Sequence, residues 1–318
     1  MTDSLEQTPI EGSPALWDLL IVGAGAAGLT CAVYAGRGRL RTLLFEKMMP
    51  GGQVALNDLI ENYPGFADGI SGFELAQQMS KQATRFGAQI RTAEVESIDI
   101  ERPFRVNAAG ESHLAKSILI ATGCSPRRLG VPGEREFYTR GVSYCATCDG
   151  PLFSGKPLVI VGGGNTAVDD ALFLANLASE VTVIHRRDKL RADPILQERA
   201  FANKKIRFLW NRVVTEIKGN QSVEAVRSRH VTTGEEAELP AAGVFIAVGE
   251  IPQTTFLPDQ VHRDDSGHVL ANQDFETSVP GLFVAGDVRA GAYRQIAAAV
   301  GEGVMAYRSI RSYLETHD

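Results

Sequence analysis

The chain has 318 residues, 44% hydrophobic and 22% charged, with a formal net charge of −6; this composition is globular and excludes a disordered or collagen-like chain. Lysine and arginine form no long run, which argues against nucleic acid or an anionic membrane as main partner, and the length suggests about two domains of roughly 100 to 200 residues each. Four cysteines are too few for a disulfide framework, so the cytoplasm is the expected compartment, where a cysteine pair is more readily catalytic or metal-binding than structural. Glycine is the outlier, at 32 residues, and excess glycine marks backbone that turns tightly or approaches something closely.

Residues 1–18 carry neither a basic nor an apolar leader segment, so no secretory signal is predicted. The next stretch, LLIVGAGAAGLTCAVYAG (19–36), is uncharged, but its glycines make it a buried strand, a turn and a helix rather than a membrane span. It is echoed by LVIVGGGNTAVDDALFLA (158–175). In both, the first glycine (Gly23, Gly162) permits the tight turn, and the second (Gly25, Gly164) lets backbone approach a pyrophosphate. The third small residue (Gly28, Ala167) lets helix lie close to strand. Phosphates would rest on the helix N-termini, where free N–H groups and the dipole favour anions.

A second apolar strand follows each turn, TLLFE (42–46) and VTVIH (181–185), ending 23 positions after the first glycine in both copies. Glu46 suits the ribose hydroxyls of FAD or NAD. His185, Arg186 and Arg187, with Arg191 beyond, put three guanidinium groups where a 2′-phosphate would lie, which favours NADPH; the alternative is a solvated face of mixed charge. ILIATG (118–123) and VFIAVG (244–249) are matching strand ends, one per repeat. GLFVAGDV (281–288) sets Asp287 after a strand and glycine, either at a flavin or as an ordinary helix cap, before a helix predicted from about Arg294 to Leu314. The second domain is therefore predicted to be inserted in the first.

Between the repeats lies Cys145-Ala-Thr-Cys148-Asp149. A C-x-x-C can be a redox dithiol, half a zinc site or chance. Zinc needs two more ligands; Cys31 and Cys124 fall inside the nucleotide motifs and the six histidines are scattered, so no metal is expected. A dithiol fits the spacing, and Asp149 can move the proton that thiol exchange requires.

These residues resemble the low-molecular-weight, bacterial-type thioredoxin reductases of the pyridine nucleotide-disulfide oxidoreductases. The resemblance runs from about Asp18 to Leu314 through GAGAAG, PGGQ (50–53), ENYPG (61–65), ATG, CATCDG (145–150), GGGNTAV (162–168), HRRDKLR (185–191), AGDV (285–288) and YRQ (293–295). It implies an α/β fold of two Rossmann-like, three-layer ββα domains: a FAD domain in two parts (1–124 and 251–318), with the NADPH domain (125–250) inserted and carrying the redox pair. It also implies a cytoplasmic homodimer, without nucleic acid or membrane, passing electrons from NADPH through FAD to thioredoxin, with one domain rotating against the other. The C-terminal redox tail of the larger mammalian-type enzymes is not expected.

Carried over residue by residue, Cys148 is the thiol nearest the flavin, Cys145 attacks thioredoxin and Asp149 is the acid-base group. Gly23, Gly25, Ala26, Ala27, Glu46, Gly52, Gln53, Asn62, Ala121, Gly123, Gly286, Asp287, Arg294 and Gln295 match FAD positions. Gly162, Gly164, Asn165, Thr166, Ala167, His185, Arg186, Arg187 and Arg191 match NADPH positions. Four features depart from the family pattern: Ala26 where proline is frequent, Cys124 after ATG, Glu250 in the G-x-x-P that often carries histidine, and Gly291-Ala292 before YRQ. Donors or acceptors other than NADPH and thioredoxin, namely ferredoxin or oxygen, are opposed by the intact GGGNTAV and HRRDKLR. A non-enzymatic redox sensor is opposed by the completeness of the donor site.

Overall fold

The computed structural model describes residues 16–57, 60 and 62–317; the first 15 residues of the segment read for a leader, Glu61 of ENYPG and Asp318 lie outside the described residues. In chain order there are β1 (Leu16–Val22), α1 (Ala26–Arg37), β2 (Thr42–Glu46), α2 (Gly72–Arg85), β3 (Gln89–Thr92), β4 (Val95–Asp99), β5 (Phe104–Ala108) and β6 (Glu111–Ile120). Next come β7 (Cys124–Pro126), β8 (Val142–Ser143), α3 (Ala146–Asp149), β9 (Pro157–Gly162), α4 (Asn165–Ala175), β10 (Glu180–Ile184), α5 (Pro194–Ala202) and β11 (Ile206–Leu209). The remainder are β12 (Arg212–Gly219), β13 (Val223–His230), β14 (Glu236–Pro240), β15 (Gly243–Ala247), β16 (Glu250–Pro252), β17 (Leu282–Val284) and α6 (Ile296–His317). The chain divides into two compact units, residues 1–124 with 252–318, and residues 125–251.

In the first unit the sheet order is β3-β2-β1-β6-β5-β4, and β6 is shared lengthwise: its start pairs antiparallel with β5 and its end, Ile118–Ile120, pairs parallel with β17. The alternation of β1 explains the layers. Leu19 and Ile21 face the helix side with Leu29, Ala306 and Ile310, while Leu20 and Val22 face the opposite side with Phe104 and Val106. All four of these β1 residues are buried, each contributing roughly 1.5–3 kcal/mol relative to exposure.

The second unit repeats the plan with a parallel sheet, β11-β10-β9-β15-β8, and an antiparallel sheet, β12-β13-β14. Leu158 and Ile160 of β9 join the α4 side, and Val159 and Val161 join the side of Ile217, Val223 and Val226. Both units are thus α/β with a central parallel sheet between a helical and a β layer, the fold class predicted from the sequence.

Helix α6 begins at Ile296 rather than about Arg294. The Gln295 carbonyl accepts the Ala299 N–H at 3.0 Å while the Gln295 N–H turns back to the Tyr293 carbonyl at 2.9 Å, so Arg294 and Gln295 stay outside the helix.

Candidate functional site

In the first unit, Gly23 has a left-handed backbone (φ 105°), and a methyl group there would stand 2.4 Å from the Ala121 carbonyl oxygen. Gly25 precedes α1, which has no side-chain cap, and a Cβ built on Gly25 meets nothing within 4 Å. Uncapped N–H groups facing open space form the cradle an anionic pyrophosphate requires.

Other motif residues gather around this turn. Gly51 donates to the Ala24 carbonyl at 2.7 Å, a Cβ on Gly52 would lie 3.5 Å from the Gly25 Cα, and one on Gly286 would lie 3.1 Å from the Ala27 Cβ. The ATG strand end meets the AGDV turn where the Cys124 thiol donates to the Asp287 carbonyl at 3.1 Å. Asn62 donates its side-chain amide to Gln295 at 3.2 Å, and an Arg294 guanidinium nitrogen lies 3.0 Å from His268 Nε2. Gln53 is exposed, at the start of the turn that follows Gly52. Glu46 accepts the Ala24 N–H at 2.9 Å and the Met48 N–H at 3.2 Å. Its carboxylate is thus fixed at the end of β2, beside a cleft lined also by Gly23, Thr122 and Gln253.

In the second unit, Gly164 precedes α4, again without a side-chain cap, and a Cβ there also meets nothing within 4 Å. Gly162 needs to be glycine because a Cβ would lie 2.4 Å from the Ala247 carbonyl oxygen and 2.6 Å from the Ala167 Cβ. Asn165 and Thr166 start the helix, exposed. Asn165 and Asp193 exchange two hydrogen bonds: the side-chain amide reaches the carboxylate at 2.9 Å, and the Asp193 N–H reaches Asn165 Oδ1 at 2.8 Å. Arg186, Arg187 and Arg191 are exposed, and the Arg191 N–H donates to the Gly163 carbonyl at 2.7 Å, which ties the basic segment to the glycine turn.

His185 stands apart from these arginines. It is 5% exposed, and a Cβ on Gly163 would lie 2.3 Å from its ring. Burial, above all, lowers its pKa, so a neutral imidazole supports the turn from beneath.

The redox motif lies in the same unit, where Cys145 and Cys148 form a disulfide with Cα atoms 5.4 Å apart. The Cys148 N–H points to Cys145 Sγ at 3.3 Å. Asp149 is held by a residue that sequence reasoning missed: Ser143 Oγ donates to Asp149 Oδ2 at 2.5 Å and accepts the Cys145 N–H at 3.0 Å. Ser143 stands two positions before Cys145, the local signal that could have found it.

Glu302 was missed as well. From nearly two turns inside α6 it accepts the Gly286 N–H at 2.7 Å and pairs with Arg289, holding the AGDV turn; no motif marks it. The two other cysteines, Cys31 and Cys124, are buried thiols, and burial pushes the Cys31 pKa upward, which keeps it unreactive.

Among the described residues no helix is long and apolar enough to cross a membrane. Residues 17–303 match the family model described as pyridine nucleotide-disulphide oxidoreductase. The chain is 46% identical to a thioredoxin reductase of Treponema pallidum (strain Nichols) over 94% of this chain and 98% of the relative. It is 44% identical to one of Bacillus subtilis (strain 168) over 94% and 95%. Among solved structures, the thioredoxin reductase of Streptococcus pyogenes MGAS5005 is similar with a TM-score of 0.89 at 44% identity, over 96% of this chain and 100% of that one.

Proposed function

Since the chain belongs to the pyridine nucleotide-disulphide oxidoreductase family, alongside the thioredoxin reductases it resembles at 42–46% identity, we propose that it is a thioredoxin-disulfide reductase. It is a flavoprotein oxidoreductase, working as a cytoplasmic homodimer. When bound, NADPH and FAD supply the hydride and electron transfer that reduce the Cys145–Cys148 disulfide, from which thioredoxin is reduced.

The observation that carries this reading is the disulfide itself, beside a hydrogen-bonded carboxylate and in one compact unit with a glycine turn and three exposed guanidinium groups. The residues present fit both nucleotides. Gly25 and Gly164 leave open space before uncapped helices; Glu46 is the ribose acceptor of the FAD site, and Arg186, Arg187 and Arg191 receive the 2′-phosphate of NADPH. Asn62, Gln295, Arg294 and Asp287 contact the flavin from the first unit. Cys145 attacks the thioredoxin disulfide, Cys148 resolves the mixed disulfide and Asp149 moves the proton.

A steady-state assay comparing NADPH, NADH and reduced ferredoxin as donors, with thioredoxin as acceptor, tests the reading. Turnover is expected with NADPH; a flavin that NADPH does not bleach overturns it. Cys145→Ser is expected to abolish thioredoxin reduction while NADPH still bleaches the flavin, and loss of both activities in a folded, flavin-loaded variant contradicts the assigned roles.

A further inference from the structure

Three groups at the redox turn share one network. Ser143 ends strand β8 and is 2% exposed. Its oxygen accepts the Cys145 N–H at 3.0 Å, lies 2.5 Å from Asp149 Oδ2 and lies 3.3 Å from the Cys145 carbonyl oxygen. That carbonyl also accepts the Asp149 N–H at 3.2 Å. A serine hydroxyl has one hydrogen. With the Cys145 N–H occupying a lone pair, that hydrogen has two acceptors to choose between, a carboxylate and a peptide carbonyl.

We propose that Ser143 is a positioning residue for the dithiol chemistry: it anchors the Asp149 carboxylate to the Cys145 backbone, and its single hydrogen follows the proton on Asp149. When Asp149 is ionised the hydroxyl donates to it, since a charged acceptor makes the stronger bond. When Asp149 carries a proton, the serine hydrogen turns to the Cys145 carbonyl and the Ser143 oxygen stays in place. The carboxylate therefore changes charge without losing its anchor, because the Ser143 oxygen that holds it is itself buried.

The proposal rests on the redox reading of Cys145 and Cys148. In the exchange, the Cys145 thiolate attacks one sulfur of the acceptor disulfide, so a mixed disulfide forms as the acceptor S–S bond breaks and one acceptor thiolate leaves. The Cys148 thiolate then attacks the Cys145 sulfur, closing the enzyme disulfide and expelling the second acceptor thiolate. Two electrons pass from dithiol to acceptor, and the two protons that the enzyme thiols release become those of the acceptor thiols. Asp149 carries such a proton, and Ser143 sets how firmly it is held.

The test is the pH profile of thioredoxin reduction, with the limb due to Asp149 identified by its loss in Asp149→Asn. In flavin-loaded Ser143→Ala this limb is expected to move toward alkaline pH by about one unit, because the ionised carboxylate has lost a charge-assisted hydrogen bond. The KM for thioredoxin stays within about twofold and kcat falls by about tenfold. Ser143→Thr, which keeps the hydroxyl, is expected to restore the wild-type limb.

A limb that stays in place in Ser143→Ala overturns the proposal, even where the rate falls, since a merely structural role lowers the rate without moving the limb. Should the alanine variant not fold, Ser143→Thr decides alone: a displaced limb overturns the proposal and a coincident one supports it. Alkylation of the chemically reduced dithiol by iodoacetamide across the same pH range needs neither NADPH nor thioredoxin. It separates failure of this proposal from failure of the reductase reading.

Discussion

In the first glycine turn a methyl group at Gly28 would stand 2.0 Å from the Gly23 carbonyl oxygen, whereas the equivalent position of the second turn, Ala167, already carries its methyl group, and there Gly162 is the residue with no room. The second strands end differently too. Glu46 turns its carboxylate onto the N–H groups of Ala24 and Met48, while His185 lies buried under Gly163 and leaves the polar work to the exposed arginines after it. The same strand, turn and helix therefore present a fixed anion beside the first cradle and free cations beside the second. In the proposed reading, backbone would supply the common pyrophosphate site, and the end of the second strand would determine which ribose is accepted.

The sharpest way to break the equivalence is to exchange the two small residues. Gly28→Ala drives a methyl group into a carbonyl oxygen of its own turn, an overpacking that rigid strand and helix cannot relieve. The expected result is loss of flavin loading and destabilisation by about 3 kcal/mol or more. Ala167→Gly removes a methyl group and adds backbone freedom in a helix, costing only about 1 kcal/mol, with the NADPH site kept. Flavin content per chain and thermal melting measure both; equal losses in the two variants would mean that the turns pack alike.

The cations sharpen the comparison next. In Arg186→Ala combined with Arg187→Ala, the KM for NADPH is expected to rise by about 100-fold, since each charge-assisted contact to a phosphate is worth roughly 1.5–3 kcal/mol and both are partly screened. The KM for NADH should change by less than about threefold, and flavin content should not change. Steady-state kinetics with the two donors at fixed ionic strength provides the measurement, and a parallel rise for both donors would assign these arginines to folding rather than to the 2′-phosphate.

The parts of the site that the sequence made legible are those whose chemistry is local. Gly23, Gly28, Gly162 and the Cys145–Cys148 pair sit in motifs a few residues long, where spacing alone states the geometry. Glu302 and His268 escaped because they act through partners that the fold brings close: Glu302 holds the amide of Gly286 across 16 positions, and His268 meets Arg294 across 26; Ser143 is local to its partners but stands just outside the C-x-x-C motif. His185 shows what spacing leaves out: it stands in the basic motif by sequence, but it directly follows the wholly buried end of β10 and its ring packs beneath Gly163. The helix expected from about Arg294 begins at Ile296, because the Gln295 carbonyl receives the Ala299 N–H from just outside it.

A last contrast lies one helical turn further along, where Cys31 of α1 and Asp170 of α4 occupy equivalent positions. The thiol is fully buried and inert. The carboxylate is raised to about 7, first by burial and then by the adjacent charge of Asp169. A raised carboxylate means that the folded protein binds more protons than the unfolded chain between the ordinary Asp range and pH 7, so stability falls as pH rises through that window and is lowest above it. Asp170→Asn removes the cost of ionising this group. Its gain over wild type is expected to grow from nearly nothing at pH 4 to on the order of 2 kcal/mol at pH 8, discounted for partial solvent access. This corresponds to a melting point higher by roughly 5 °C at pH 8. Melting curves of the flavin-loaded protein at four pH values from 5 to 8 decide it: a gain of the same size at every pH would assign the effect to helix packing, and a gain that grows with pH would place an ionised carboxylate where α1 keeps a neutral thiol.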